Sequence, residues 1–160
     1  MSRSNIRVKV ARFETLKKHK VMVDVGERKQ SIFNQLLEIE ASHSVSALEK
    51  KRVLSEVVHL SEWPELVVGT FDLNFLNAPE EILISEMVEH QRYFPLKKKN
   101  GLVNQFVITA DNAPSDEIIK GNVKVLSARL SDGTFLFDQD SKKPLESYNE
   151  TLHRITFQSE

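Results

Sequence analysis

The chain has no cysteine among its 160 residues. That excludes disulfides and thiolate metal sites. It has five glycines and five prolines, and no stretch rich enough in either to make a low-complexity linker. No apolar run reaches the roughly 18–20 residues that cross a bilayer. The start, Met1-Ser2-Arg3-Ser4-Asn5, leads into alternating charge without the apolar centre of a signal peptide. A phosphate loop, a GxGxxG turn and a GxSxG turn are all missing. The histidines His19, His43, His59, His90 and His153 show no metal-ligand spacing. Paired carboxylates such as Glu80-Glu81 sit at an acidic helix start, where dipole and solvation account for them. What is present is 40% hydrophobic and 28% charged. That composition buries a core within a single domain, 1–160. The expectation is a soluble, cytoplasmic protein with no membrane segment and no metal site.

The net charge of −1 conceals blocks of opposite sign. Residues 1–52 carry 12 basic and 6 acidic side chains, 53–90 carry 8 acidic and no Lys or Arg, and 91–100 carry 4 basic and no acidic. Such blocks steer a charged partner if they stay apart in the fold, and cancel if they lie side by side. The sequence leaves both open.

Periodicity supplies the elements. Ile6, Val8 and Val10 alternate with Arg7, Lys9 and Arg12, which reads as a strand or an extended lead-in over 1–12. Ile32, Leu36 and Ile39 recur at helical spacing within Glu27 to Ala41, with Phe33 and Leu37 beside them. Ser46 with Glu49 predicts a capping box opening a second helix that buries Leu48, Leu54, Val57 and Val58 and ends before Pro64. Leu66 to Phe71 reads as a strand, and Phe71, Leu73, Phe75 and Leu76 as an apolar knot. A helix follows from Asn77-Ala78-Pro79 to about Gln91. Tyr93 to Leu96 predicts an edge strand because it holds Pro95. Lys97 to Gly101 predicts a hairpin turn, and Phe106 to Thr109 the returning strand. A long helix starts at Ser115, with Ile119, Val123, Leu126 and Leu130 inward, a possible kink at Gly121 and a weak point at Gly133. Pro144 opens a last short helix. The fold class is α+β, a small, mostly antiparallel sheet packed with several helices.

Three ordered stretches then stand out. They are Glu62-Trp63-Pro64 with Gly69-Thr70-Phe71, Phe75-Leu76 and Pro79; Met87 with Gln91-Arg92-Tyr93-Phe94-Pro95; and Gly121-Asn122-Val123-Lys124-Val125-Leu126 with Ala128-Arg129-Leu130, Asp132, Phe135 and Asp140. Val23-Asp24, Glu27-Arg28-Lys29 and Ile32 precede them. In this order and spacing they resemble the β subunit of the heterotetrameric bacterial glycyl-tRNA synthetase, over residues 13–158. Gly133-Thr134 and Leu136 depart from the family's pattern after Asp132 and suggest a divergent branch. Leu152 to Phe157 resembles a segment that in the family runs on into further domains, so the chain is expected to be an internal piece of a longer subunit.

The resemblance implies an enzyme that joins glycine to tRNA(Gly) with ATP and Mg²⁺. Neither cofactor is expected in this piece, because the α subunit, separate or fused, carries the adenylate-forming site. It implies partners in that α subunit and in neighbouring β-subunit domains. It also implies similarity to the editing-type domain of the phenylalanyl-tRNA synthetase β subunit, and contact with the tRNA acceptor arm. No editing or catalytic residue carries over. The tRNA-binding candidates are Arg92, Lys97, Lys98, Lys99, Lys124 and Arg129. Lys97 to Lys99 read as a phosphate-reaching hairpin tip beside Arg92, or as a solvated turn. Arg129 reads as a partner of Asp132 three residues on, or as an RNA contact. Tyr93 and Phe94 read as core or as base-stacking rings. Lys17, Lys18 and Lys20 form a further basic patch, with the same two readings. A structural packing module and a vestigial editing-type domain are the alternatives to tRNA binding.

Overall fold

The computed structural model describes residues 12–142 and Pro144. A four-stranded sheet lies between two layers of helices. Helix α1 covers 12–18 and α2 covers Val25–His43. Strand β1 is Ser46–Ala47, α3 is Lys50–Val57 and β2 is Pro64–Thr70. A 3₁₀ turn, Leu73–Asn77, leads to α4, Glu80–Ser85, which runs into one π-helical turn, Glu86–His90. Strands β3, Phe94–Lys98, and β4, Gly101–Asp111, form a hairpin, and α5 spans Asp116–Asp140. The sheet order is β1-β3-β4-β2, with every pairing antiparallel. The α+β expectation holds among the described residues.

Alternation along the strands sends opposite parities to the two faces. Leu66, Val68, Val107, Phe94 and Leu96 pack with Ile32 and Leu36 of α2 and with Val53, Leu54 and Val57 of α3. Phe106 and Ile108 pack with Leu83 of α4, Met87 of the π turn and Leu126 and Leu130 of α5. Helices α2, α3, α4 and α5 are thus held by apolar faces, whereas Phe13 and Leu16 of α1 stay exposed. Phe33 and Leu37 of α2, beside that stripe, stay 39% and 45% exposed.

Several local expectations fail for tertiary reasons. Arg12 lies in α1, not in an extended lead-in; the reading of 1–11 lies outside the described residues. Ser46 is a strand residue paired with Lys97, not a helix cap. Helix α3 starts after Glu49, whose φ is +49° and whose side chain makes no cap bond. A two-residue strand is invisible locally because its hydrogen bonds come from β3, about fifty residues on. Pro95 sits on an interior strand. It is tolerated because β1 is so short and because the ladder is irregular between Pro95 and Lys97. Leu73 is exposed and stands outside the apolar knot. Helix α5 is continuous through Gly121. At Gly133 a Cβ would stand 3.3 Å from Ile82 and Glu86, so this glycine lets α4 and the π turn approach. The helix expected after Pro144 falls outside the described residues.

One carboxylate closes the loop before β2. Asp111 Oδ1 accepts hydrogen bonds from Ser61 Oγ at 2.6 Å, Trp63 N at 2.9 Å and Glu62 N at 3.1 Å. The Ser61 hydroxyl, followed by the Trp63 amide, holds this carboxyl below the ordinary aspartate range. A depressed folded pKa means stability that is full above the unfolded pKa and lost as pH falls through the folded one. Asp111→Ala should therefore cost about 1–2 kcal/mol near neutral pH. The gap to the parent should shrink as urea melts are repeated from pH 6 down to pH 3. A pH-independent gap would show that the carboxylate's charge is irrelevant.

Candidate nucleic-acid interface

The basic residues are presented by three separate parts of the fold. Lys97, Lys98 and Lys99 lie exposed at the β3–β4 tip. Lys97 pairs with Leu102, and Lys98 with Gly101. Consecutive strand residues alternate in direction, so Lys97 and Lys98 make the tip basic on both faces of the sheet. Positive φ falls on Gly101, at +121°, and not on Asn100. The turn is therefore not the type I′ form that Asn-Gly suggests. Glu80 Oε1 accepts from Leu102 N at 2.8 Å and lies where a Cβ on Gly101 would be. This anchors the tip to α4.

Arg92 is not beside that tip. It precedes β3, and at about 3.3 Å per residue the strand sets it and Lys98 at opposite ends. Its φ is +57°, and its Nε lies 2.9 Å from Glu56 Oε2. Arg52 likewise pairs with Glu89. The acidic 53–90 block is thus partly neutralised by basic residues flanking it in sequence. The Lys97–Lys99 tip, by contrast, forms no ion pair among the described residues.

Lys124 and Arg129 are exposed on α5. Five residues of helix separate them by roughly 140° in direction, so they do not share a face. The ion pair expected between Arg129 and Asp132 does not form. Both side chains point outward and solvate separately. Tyr93 and Phe94 are buried. Tyr93 stacks on Phe106 at 5.0 Å between ring centroids and donates its hydroxyl to Asn122 Oδ1 at 2.6 Å. Burial pushes the Tyr93 phenol up, which keeps it a neutral donor. These rings are core, not stacking platforms.

A further basic cluster emerges only from helix packing. Gly26, Lys29, Gln30 and Phe33 of α2 face Lys50, Lys51 and Leu54 of α3 across a groove of about 350 Å³. Lys29 and Phe33 share a face at i,i+4 spacing, the one signal the sequence held for it. Nearby, the Arg28 guanidinium donates to Val58 O at 3.0 Å and Met22 O at 2.6 Å, which ties the α2 entry to the end of α3.

The described residues contain no group of three His, Asp or Glu placed to hold a metal ion, and none of their helices is long and apolar enough to cross a membrane. The family model described as glycyl-tRNA synthetase beta subunit matches residues 2–160. The chain belongs to that family. It is 40% identical over 145 residues to the glycine–tRNA ligase of Chlamydia trachomatis, covering 90% of this chain and 14% of that protein. It is 40% identical over 147 residues to the glycine–tRNA ligase beta subunit of Lactobacillus gasseri, covering 90% and 21%. With the beta subunit of Dictyoglomus turgidum it shares 39% over 150 residues, covering 92% and 22%. The glycyl-tRNA synthetase relatives are therefore several times longer than the stretch this chain matches.

Proposed function

We propose that the chain is a tRNA-binding portion of a glycine–tRNA ligase, gripping the acceptor arm of tRNA(Gly). The observation that carries the reading is the exposed Lys97–Lys99 tip, free of ion pairs among the described residues, on a hairpin anchored through Glu80. The sheet already orders the backbone that carries these cations, so meeting phosphates costs side-chain freedom but no loop ordering. On this reading the chain supplies affinity and orientation in the cytoplasm. The α subunit or fused α region, with ATP and Mg²⁺, supplies the chemistry. Kinship with an editing-type domain belongs to the same proposal; no step is assigned to it. Packing against neighbouring β-subunit domains is a second reading. It is favoured by Phe135, Leu136 and Phe137, exposed together near the end of α5.

The test is a titration of this chain with tRNA(Gly) at two salt concentrations. Binding should weaken as salt rises. Lys97→Ala/Lys98→Ala/Lys99→Ala should weaken it about tenfold and flatten the log–log salt slope by roughly 0.9 for each phosphate that is no longer neutralised. A folded chain that binds no tRNA at low salt, or a triple variant that binds like the parent, overturns this reading and leaves the packing role.

A further inference from the structure

We propose that the α2–α3 groove takes an unpaired nucleotide of an RNA strand, its base against Phe33 and its phosphates between Lys29 and Lys51. The proposal rests on the tRNA-binding reading for its ligand class, and on a different part of the molecule for its evidence. The groove has a half-exposed aromatic ring as one wall and buried Leu54 as its floor. Lysines approach from both helices. Lys50 is committed to Glu40 at 2.7 Å. Lys29 and Lys51 form no ion pair among the described residues.

Two of the four neighbouring acids, Glu27 and Glu40, are ion-paired, while Asp24 and Glu49 keep their charge. Asp24 caps the Glu27 amide, Glu27 pairs with Lys17, and Glu40 holds Lys50. Glu49 rims the adjoining cleft beyond Lys51, where Arg52 and Ser55 continue the path along α3. Lys29 and Lys51 thus set two uncommitted cations at the groove against one carboxylate, Asp24, at its Gly26 edge, a balance that suits an anion between the lysines. A ring between two uncommitted cations matches a planar base flanked by phosphates. Stacking on an aromatic side chain and charge on the backbone are the two terms that hold single strands. A base inside a helix has both faces covered by its stacked neighbours, so an unpaired, unstacked end or loop is the form that can lie on Phe33.

The probe is a single-stranded RNA tetranucleotide, titrated into the isotope-labelled chain and followed by amide shifts, with tRNA(Gly) titrated in parallel. Shifts should cluster at 26–33 and 50–54. Lys29→Gln/Lys51→Gln should weaken the tetranucleotide about tenfold and flatten its salt slope by roughly 1.4, at about 0.7 per single-strand phosphate. Phe33→Leu, which keeps apolar volume, should weaken it fivefold or more with the salt slope unchanged. Lys120→Gln, on an exposed part of α5, should bind like the parent. If tRNA binds while the groove amides stay still, or while the groove variants bind RNA as the parent does, the groove assignment falls and the tRNA reading stands. If the tetranucleotide shifts the groove but tRNA ignores the hairpin variant, the groove stands and the hairpin reading falls. If neither RNA binds the folded chain, both fall.

Discussion

Phe106→Ala is expected to lower the unfolding free energy by about 4 kcal/mol, the usual cost of deleting a buried aromatic ring. Phe106 is fully buried in the middle of β4. Its ring meets Tyr93 at 5.0 Å and Phe71 at 6.2 Å between centroids, and belongs to the same cluster as Leu126 and Leu130. Removing it leaves a cavity bounded by strands on one side and α5 on the other. Neither can collapse without breaking the β2–β4 ladder. At this chain length the melting midpoint should drop by roughly 10 °C. Thermal unfolding by circular dichroism checks it; a shift under about 3 °C would mean that the layers repack around the hole.

Gly69→Ala should cost about 2–3 kcal/mol, through overpacking rather than a void. Gly69 lies directly opposite Phe106 in the β2–β4 register. A Cβ there would stand 2.6 Å from Phe106 Cζ and 2.9 Å from Cε1. The ring cannot retreat, because Phe71 and Tyr93 hold it. This is an edge-strand glycine covered by a cross-strand aromatic. Neighbouring sites of this kind are not additive. The Gly69→Ala cost should fall by more than about 0.5 kcal/mol in a Phe106→Leu background. Equal costs in both backgrounds would place the strain in the backbone of β2 instead.

The two substitutions also show how legible the fold was. β-Branched residues marked β2 as a strand, and Asn100-Gly101 marked a hairpin whose return is β4, because those signals lie within a few residues of one another. The inward faces of α2 and α5 were readable for the same reason: Ile32 and Leu36, and Leu126 and Leu130, sit one turn apart. Pairing β2 to β4, and therefore Gly69 to Phe106, was not readable. It joins residues 37 positions apart and is set by two layers closing on a shared sheet.

The candidate site divides along the same line. The Lys97–Lys99 tip was visible because a charge run and a turn coincide in sequence. Arg92 was adjacent in sequence but is carried to the far end of β3, where Glu56 meets it. Of the Lys29–Phe33–Lys51 groove only the Lys29–Phe33 spacing was local, because Lys51 comes from a second helix.

By itself the sequence determined the family, the inward stripes of α2 and α5 and the place of the hairpin, since ordered motifs and short-range periodicity survive without a fold. Only the tertiary structure decided which charges are paired, which aromatics are core and which lysines face a common groove. Those depend on how elements meet, and burial and Coulomb energy at a few ångströms are properties of the packed chain, not of its local segments.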